Sequence, residues 1–208
     1  MNRKTLVIAV AISLQVAAIS YLIWRYERIV TQGTEVRFAC QAYDPYDPLR
    51  GRYLRTSVQE PCTNMAFQVC EESRFELRNK LFARLEPAGT NDLWRVAEVA
   101  LEPGAEGMWV RPKSSHFDYH LARSARKQDE DWDDFNKRRQ ESSLMAVVTF
   151  PDQLFINEKL APEAEQVLRK HTGESAVAVY RVLNGEIVIA DIEIGGKPIA
   201  QFIREEKQ

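Results

Sequence analysis

An apolar run from Leu6 to Trp24, interrupted only by Ser13, Gln15 and Ser20, constrains this chain more than any other feature. At about 1.5 Å per helical residue its length approaches the ~30 Å hydrocarbon core of a bilayer. A helix apolar on all sides is satisfied there and not in water. Arg3 and Lys4 precede the run, whereas Arg25, Glu27 and Arg28 follow it. That small charge bias favours a cytoplasmic N-terminus and a translocated remainder. Trp24 and Tyr26 fit an interfacial aromatic belt. Ala18-Ile19-Ser20 resembles a signal-peptidase cleavage site, but the apolar run continues past it, so an uncleaved signal anchor over residues 1–28 is expected.

The remaining residues, 29–208, suffice for one domain with a substantial core. Four of the chain's 28 basic residues and one of its 30 acidic residues lie in the first 28 positions, which leaves the exported part acidic. Nucleic-acid binders carry the opposite excess, so that class of partner is not expected. Three cysteines, Cys40, Cys62 and Cys70, suit an oxidising compartment, and Cys62 and Cys70 are near enough in sequence to close a short loop. Their number is odd and no C-x-x-C occurs, so neither a thioredoxin-type redox site nor a zinc ribbon is indicated.

Patterning predicts a mainly β domain with one or two helices, an α+β fold of antiparallel strands. Strands are expected over 35–42, 53–58 and 144–150, with a hairpin whose arms are 75–85 and 93–101 and a further strand near 108–110. A polar loop is expected through Pro61 and Asn64, and a solvated helix or long loop over 123–141. In that stretch Trp132 and Phe135, three apart in a charged frame, either present a docking surface or fold back on the domain. The clearest soluble helix is 161–171, with Pro162 at its first turn, Arg169 and Lys170 at its last, and Gly173 as its cap. A three-strand meander then closes the chain: 176–183, the turn Asn184-Gly185, 186–194, the turn Gly195-Gly196, and 197–203.

Two segments and one triplet are candidate sites. Residues 43–53 read Tyr-Asp-Pro-Tyr-Asp-Pro-Leu-Arg-Gly-Arg-Tyr. Each proline extends the aspartate before it, and a three-residue period places Tyr43 with Tyr46 and Asp44 with Asp47. The paired carboxylates can bond Arg50 or neighbouring backbone N–H groups, and Gly51 allows a sharp entry into the strand that begins at Tyr53. Asn157, Glu158 and Lys159 form a second polar cluster, suited to a turn ahead of the 161–171 helix or to acid/base chemistry. On a strand His116, Asp118 and His120 share one face and can hold zinc with a position left open. G-x-S-x-G, H-E-x-x-H, Walker A and dinucleotide glycine motifs are absent, as is the Ser-x-x-Pro of signal peptidases after the anchor.

Asp44-Pro45-Tyr46-Asp47-Pro48-Leu49-Arg50-Gly51 resembles the lead of the bacterial GDYXXLXY proteins. The signature itself is altered: Gly51 and Tyr53 are kept, whereas Arg52, Thr56 and Val58 stand where the family has aspartate, leucine and tyrosine. The block from Phe155-Ile156-Asn157-Glu158-Lys159 to Glu165 is similar to the family's segment before its helix. Asn184-Gly185 and Gly196-Lys197-Pro198-Ile199 are similar to its last hairpin, so the resemblance runs in order through most of 36–200. It implies a bacterial protein with an N-terminal anchor and one exported β-rich domain; together with the apolar run and its flanking charges, a single-pass inner-membrane protein anchored through residues 6–24, with a periplasmic domain and no cofactor, is expected. By association it also implies an accessory or interaction subunit beside a multi-spanning membrane protein; the segments 43–53 and 157–159 are the candidate interaction surface. The alternatives are a metal-dependent or acid/base hydrolase built on the histidine triplet, and a secreted ligand-binding domain.

Overall fold

A computed structural model of the protein describes residues 3–42, 53–67, 74–77, 79–89, 92–119, 131–140, 144–157, 160–171 and 173–206. The apolar run forms α1 (Arg3–Gln32), at 30 residues about 45 Å long and, from Leu6 onward, long and apolar enough to cross a membrane. It stops at Gly33, whose amide donates to the carbonyl of Ile29 at 2.9 Å. A Cβ on Gly33 would sit 2.4 Å from that oxygen, so only glycine closes the helix this way.

Mostly antiparallel strands follow. β1 (Thr34–Ala42) and β2 (Tyr53–Ser57) join β9 (Gln153–Phe155), β10 (Gly173–Leu183), β11 (Glu186–Ile194) and β12 (Lys197–Pro198) in a sheet ordered β12-β11-β10-β1-β2-β9. A second sheet sets β8 (Leu144–Thr149) between β3 (Gln59–Cys62) and β7 (Ser114–Tyr119). In the third, β4 (Phe82–Pro87) lies between β5 (Trp94–Ala100) and β6 (Met108–Val110). One apolar cluster joins residues of all three, including Val36, Ala146 and Leu85.

Alternation sorts the faces of β1. Val36, Phe38 and Cys40 point into the core, whereas Glu35 and Arg37 join an outer ion-pair ladder with Arg181 and Glu193. At the centre Phe38 stacks on Phe150 with centroids 4.8 Å apart and meets Tyr180 edge-on at 5.8 Å, all three rings fully enclosed. Such aromatic contacts add roughly 0.5–1.5 kcal/mol per pair beyond burial. The Asn184-Gly185 turn between β10 and β11 has φ of 52° and 80°, as a type I′ hairpin requires.

Helix α4 (Ala161–Lys170) forms as expected, with Ala161, Ala164, Val167 and Leu168 buried. Its C-cap is His171, whereas Gly173 begins β10 opposite Cys40 and is not the cap. Three further expectations are corrected. The first arm of the central hairpin starts at Phe82, because α2 (Arg74–Leu77) turns the chain before it. The expected polar loop contains β3, whose Cys62 is buried and faces Ala146 of β8. The last arm of the meander stops at Pro198, and α5 (Ile199–Glu206) takes its place. Ile199, Phe202 and Ile203 lie at i, i+3 and i+4, a helical stripe that buries Ile199 and Ile203 and brings Phe202 against His171. Within the charged stretch, α3 (Trp132–Gln140) is helical, with Trp132 61% exposed and edge-on to Phe135.

Candidate functional site

The last turns of α1 lie against the β10–β11 hairpin. Ile29 is buried, and the Tyr26 hydroxyl donates to the Ile189 carbonyl of β11 at 3.1 Å. Arg25 forms a two-pronged ion pair with Glu186, the first residue of β11. Helix and hairpin are therefore joined by an apolar contact, a backbone hydrogen bond and a charge pair.

Beside this junction lies a cleft of about 710 Å³, lined by Arg25, the segment 111–113, the segment 151–153, Phe155 and the hairpin turn. Its floor is tightly bonded. The Arg111 amide donates to the Gly185 carbonyl at 2.9 Å, and the Lys113 amide donates to Thr149 at 3.0 Å. The Thr56 amide donates to the Asp152 carbonyl at 2.9 Å. Asp152 is buried and holds two cations: Arg55 donates from Nε at 2.8 Å to one carboxylate oxygen, and Lys113 donates to the other. Burial is the largest influence on its ionisation and raises the pKa, but the bonds from Lys113 and Arg55 together outweigh it and hold the carboxyl below its usual value.

Directly behind this floor the Tyr180 hydroxyl donates to the Pro151 carbonyl at 2.8 Å. Burial pushes the Tyr180 phenol up, as it pushes the Cys40 thiol up to about 12. Burial also raises the Cys62 thiol, so neither cysteine has the depressed pKa of a nucleophile.

Most of the segment expected to carry a site, including Tyr43, Asp44, Tyr46, Asp47, Arg50 and Gly51, lies outside the described residues, as do Glu158, Lys159, His120 and Cys70. Tyr53 opens β2 and pairs with Phe155 of β9, which brings the start of β2 beside the strand that leads to Asn157. His116 and Asp118 occupy one face of β7, opposite Val147 and Met145. Among the described residues no three His, Cys, Asp or Glu side chains are grouped to hold a metal ion.

The family model for GDYXXLXY proteins matches residues 15–192, most of the chain and in one block. The chain belongs to the GDYXXLXY family. No curated protein and no solved structure matches it. The family match reaches from within α1 to Ile192 of β11, so it covers the junction and the cleft as well as the altered signature. Arg25, Arg111, Lys113, Asp152 and Glu186 were not indicated by sequence reasoning. They come from four separate stretches of the chain, with Arg111 and Lys113 alone close in sequence, and only the tertiary fold gathers them. The one local hint is Phe150-Pro151-Asp152, a carboxylate placed directly after a strand stop.

Proposed function

We propose that this GDYXXLXY protein is an accessory subunit of an inner-membrane complex, anchored by α1, with its β-rich domain in the periplasm. The observation that carries this reading is the junction itself. A domain tethered only for localisation can hang from a linker, but here Gly33 turns α1 straight into β1 and Tyr26 and Ile29 pack on the sheet. A helix and a domain fixed to one another form a rigid unit, suited to docking against a neighbouring subunit both within and above the bilayer. The charge bias across Leu6–Trp24 supports periplasmic placement.

The Tyr53–Phe155 pairing supports a shared surface for the 43–53 and 157–159 segments, because it draws their ends together. The partner in this reading is a multi-spanning membrane protein. Cross-linking in native membranes, purification in mild detergent and mass spectrometry test it. One multi-spanning protein recovered in stoichiometric amount is the expected result. Recovery of the chain alone, or a reporter fusion at the C-terminus that scores as cytoplasmic, would overturn the reading.

A further inference from the structure

The cleft beside the α1 junction has a charge and a position that together specify a ligand. Three cations and two carboxylates line it: Arg25, Arg111 and Lys113 against Asp152 and Glu186. Glu186 is engaged by Arg25, and Asp152 by Lys113 and Arg55. Arg111 has no ion-pair partner among the described residues. Its guanidinium lies over the Phe82 ring, 4.9 Å from the centroid, and its backbone is pinned to the hairpin turn. A stacked, exposed arginine keeps its in-plane N–H donors free for an anion.

Position supplies the second constraint. Arg25 directly follows Trp24, the last residue of the apolar run, so with that run in the bilayer one wall of the cleft begins about one helical rise from the hydrocarbon. Phe155, on the outer edge of the sheet, is 76% exposed in the same cleft. An exposed aromatic ring lining the same cleft as an arginine with no ion-pair partner among the described residues matches an acyl-glycerol body and a phosphate. The volume falls within the ~300–1,000 Å³ of small-molecule sites.

We propose that this cleft binds the phosphodiester of an anionic glycerophospholipid from the adjoining leaflet. Arg111 is the principal donor to the phosphate, Lys113 and Arg25 flank it, and Phe155 lies along the glycerol and upper acyl chain. The assignment rests on the reading of α1 as a membrane anchor, and it does not depend on which protein is the partner. Both carboxylates are already engaged by cations, so they order the cleft and repel the phosphate little.

The test is native mass spectrometry of the full-length protein released from detergent micelles after incubation with dioctanoyl phosphatidylglycerol, dioctanoyl phosphatidylcholine or inorganic phosphate. Retained phosphatidylglycerol, weakened about tenfold in Arg111→Gln as one charge-assisted contact is lost, is the expected result. Phosphatidylcholine binds more weakly, and millimolar inorganic phosphate does not displace the lipid. Equal lipid retention by wild type and Arg111→Gln overturns the proposal. Displacement by inorganic phosphate reassigns the cleft to a small phosphate anion and equally overturns the lipid assignment. If Arg111→Gln lowers the unfolding midpoint, Lys113→Gln and Phe155→Ser carry the same comparison. Partner recovery is measured on the same variants: lipid lost with the partner retained condemns this inference alone, and lipid bound with no partner condemns the accessory-subunit reading alone.

Discussion

The aromatic core and the cleft meet at one peptide bond, between Phe150 and Pro151, yet they are built on opposite principles. On the core side Phe38, Phe150 and Tyr180 are fully enclosed and in mutual ring contact, and the Tyr180 hydroxyl is bonded to the Pro151 carbonyl. On the cleft side Asp152 gathers Arg55 and Lys113, and the remaining charges lie half in solvent. Shape and burial stabilise the first; the second is a set of charges whose arrangement matters more than their contribution to stability. The difference teaches where stability and recognition are to be sought in this molecule, and variants on either side of that peptide bond can break the distinction.

The largest effect is expected from Phe38→Ala. It removes a ring with no exposure from the centre of three sheets, and Phe→Ala changes at such sites cost about 3–5 kcal/mol through lost transfer energy and residual cavity. Urea unfolding of the full-length protein in mild detergent measures it. A loss under about 1 kcal/mol would mean that the cluster repacks and is not the centre of the fold.

Asp152→Ala comes next, at about 1–3 kcal/mol near neutral pH. It strips the hydrogen-bonded charge partner from Arg55 and Lys113, although both can still reach water. The pH dependence separates this side from the core. The carboxyl of Asp152 is held below its ordinary value of 3.8, so the folded state binds the proton more weakly than the unfolded one. Its stabilisation is therefore complete above that value and is lost as pH falls below it, through the folded pKa. Asp152→Asn should flatten this part of the acid limb of the stability curve, whereas Phe38→Ala should shift the whole curve and leave its slope. An unchanged acid limb in Asp152→Asn would show that the pair with Lys113 and Arg55 does not hold in solution.

These two variants also mark how much was legible in sequence. Phe38 lies in a strand whose alternation, Val36-Phe38-Cys40 against Glu35-Arg37, declares its inner face. The Asn184-Gly185 turn likewise fixes the β10–β11 hairpin, because its positive φ values are imposed locally. The final segment reads as a strand in sequence yet forms α5, because Ile199 and Ile203 are four apart, a spacing compatible with both a strand face and a helix face. Phe202 breaks the tie, since alternation would turn it to solvent and a helix places it beside Ile199. Pro61 and Asn64 flank Cys62 and read as a polar loop; its burial depends on β8, some 80 residues away and invisible to a local window. The cleft fails for the same reason in stronger form. Arg25, Arg111, Asp152 and Glu186 come from four distant places and share no spacing, so no motif announces them.

Tyr180→Phe is a smaller test, and it acts on the atom where the two regions meet. It keeps the ring packing and deletes one hydrogen bond to the Pro151 carbonyl, for a loss of about 0.5–1.5 kcal/mol. Because Pro151 precedes Asp152, the same variant reports whether the core positions the cleft. If it does, the acid limb attributed to Asp152 changes in Tyr180→Phe along with the midpoint. A shift of the midpoint alone would show that the two regions are independent despite being neighbours.

The smallest effect belongs to the ion pair at the junction. Arg25 and Glu186 are both about half exposed, at 48% and 42% of their side-chain surface, so water and salt screen the attraction that their geometry suggests. Arg25→Ala should leave the unfolding midpoint unchanged within error, because Ile29 remains buried and Tyr26 still donates to Ile189. Arg25→Ala combined with Tyr26→Phe removes the two polar ties and leaves the apolar one. That double variant should still unfold with the wild-type core signal, but helix and domain should reorient independently in spin-label distance measurements across the junction. A large stability loss from Arg25→Ala alone would contradict the division between core and cleft, since an exposed charge would then carry stability assigned here to buried rings. A rigid junction in the double variant would instead assign the docking of α1 to Ile29 and the Gly33 turn, and the polar contacts to the cleft they border.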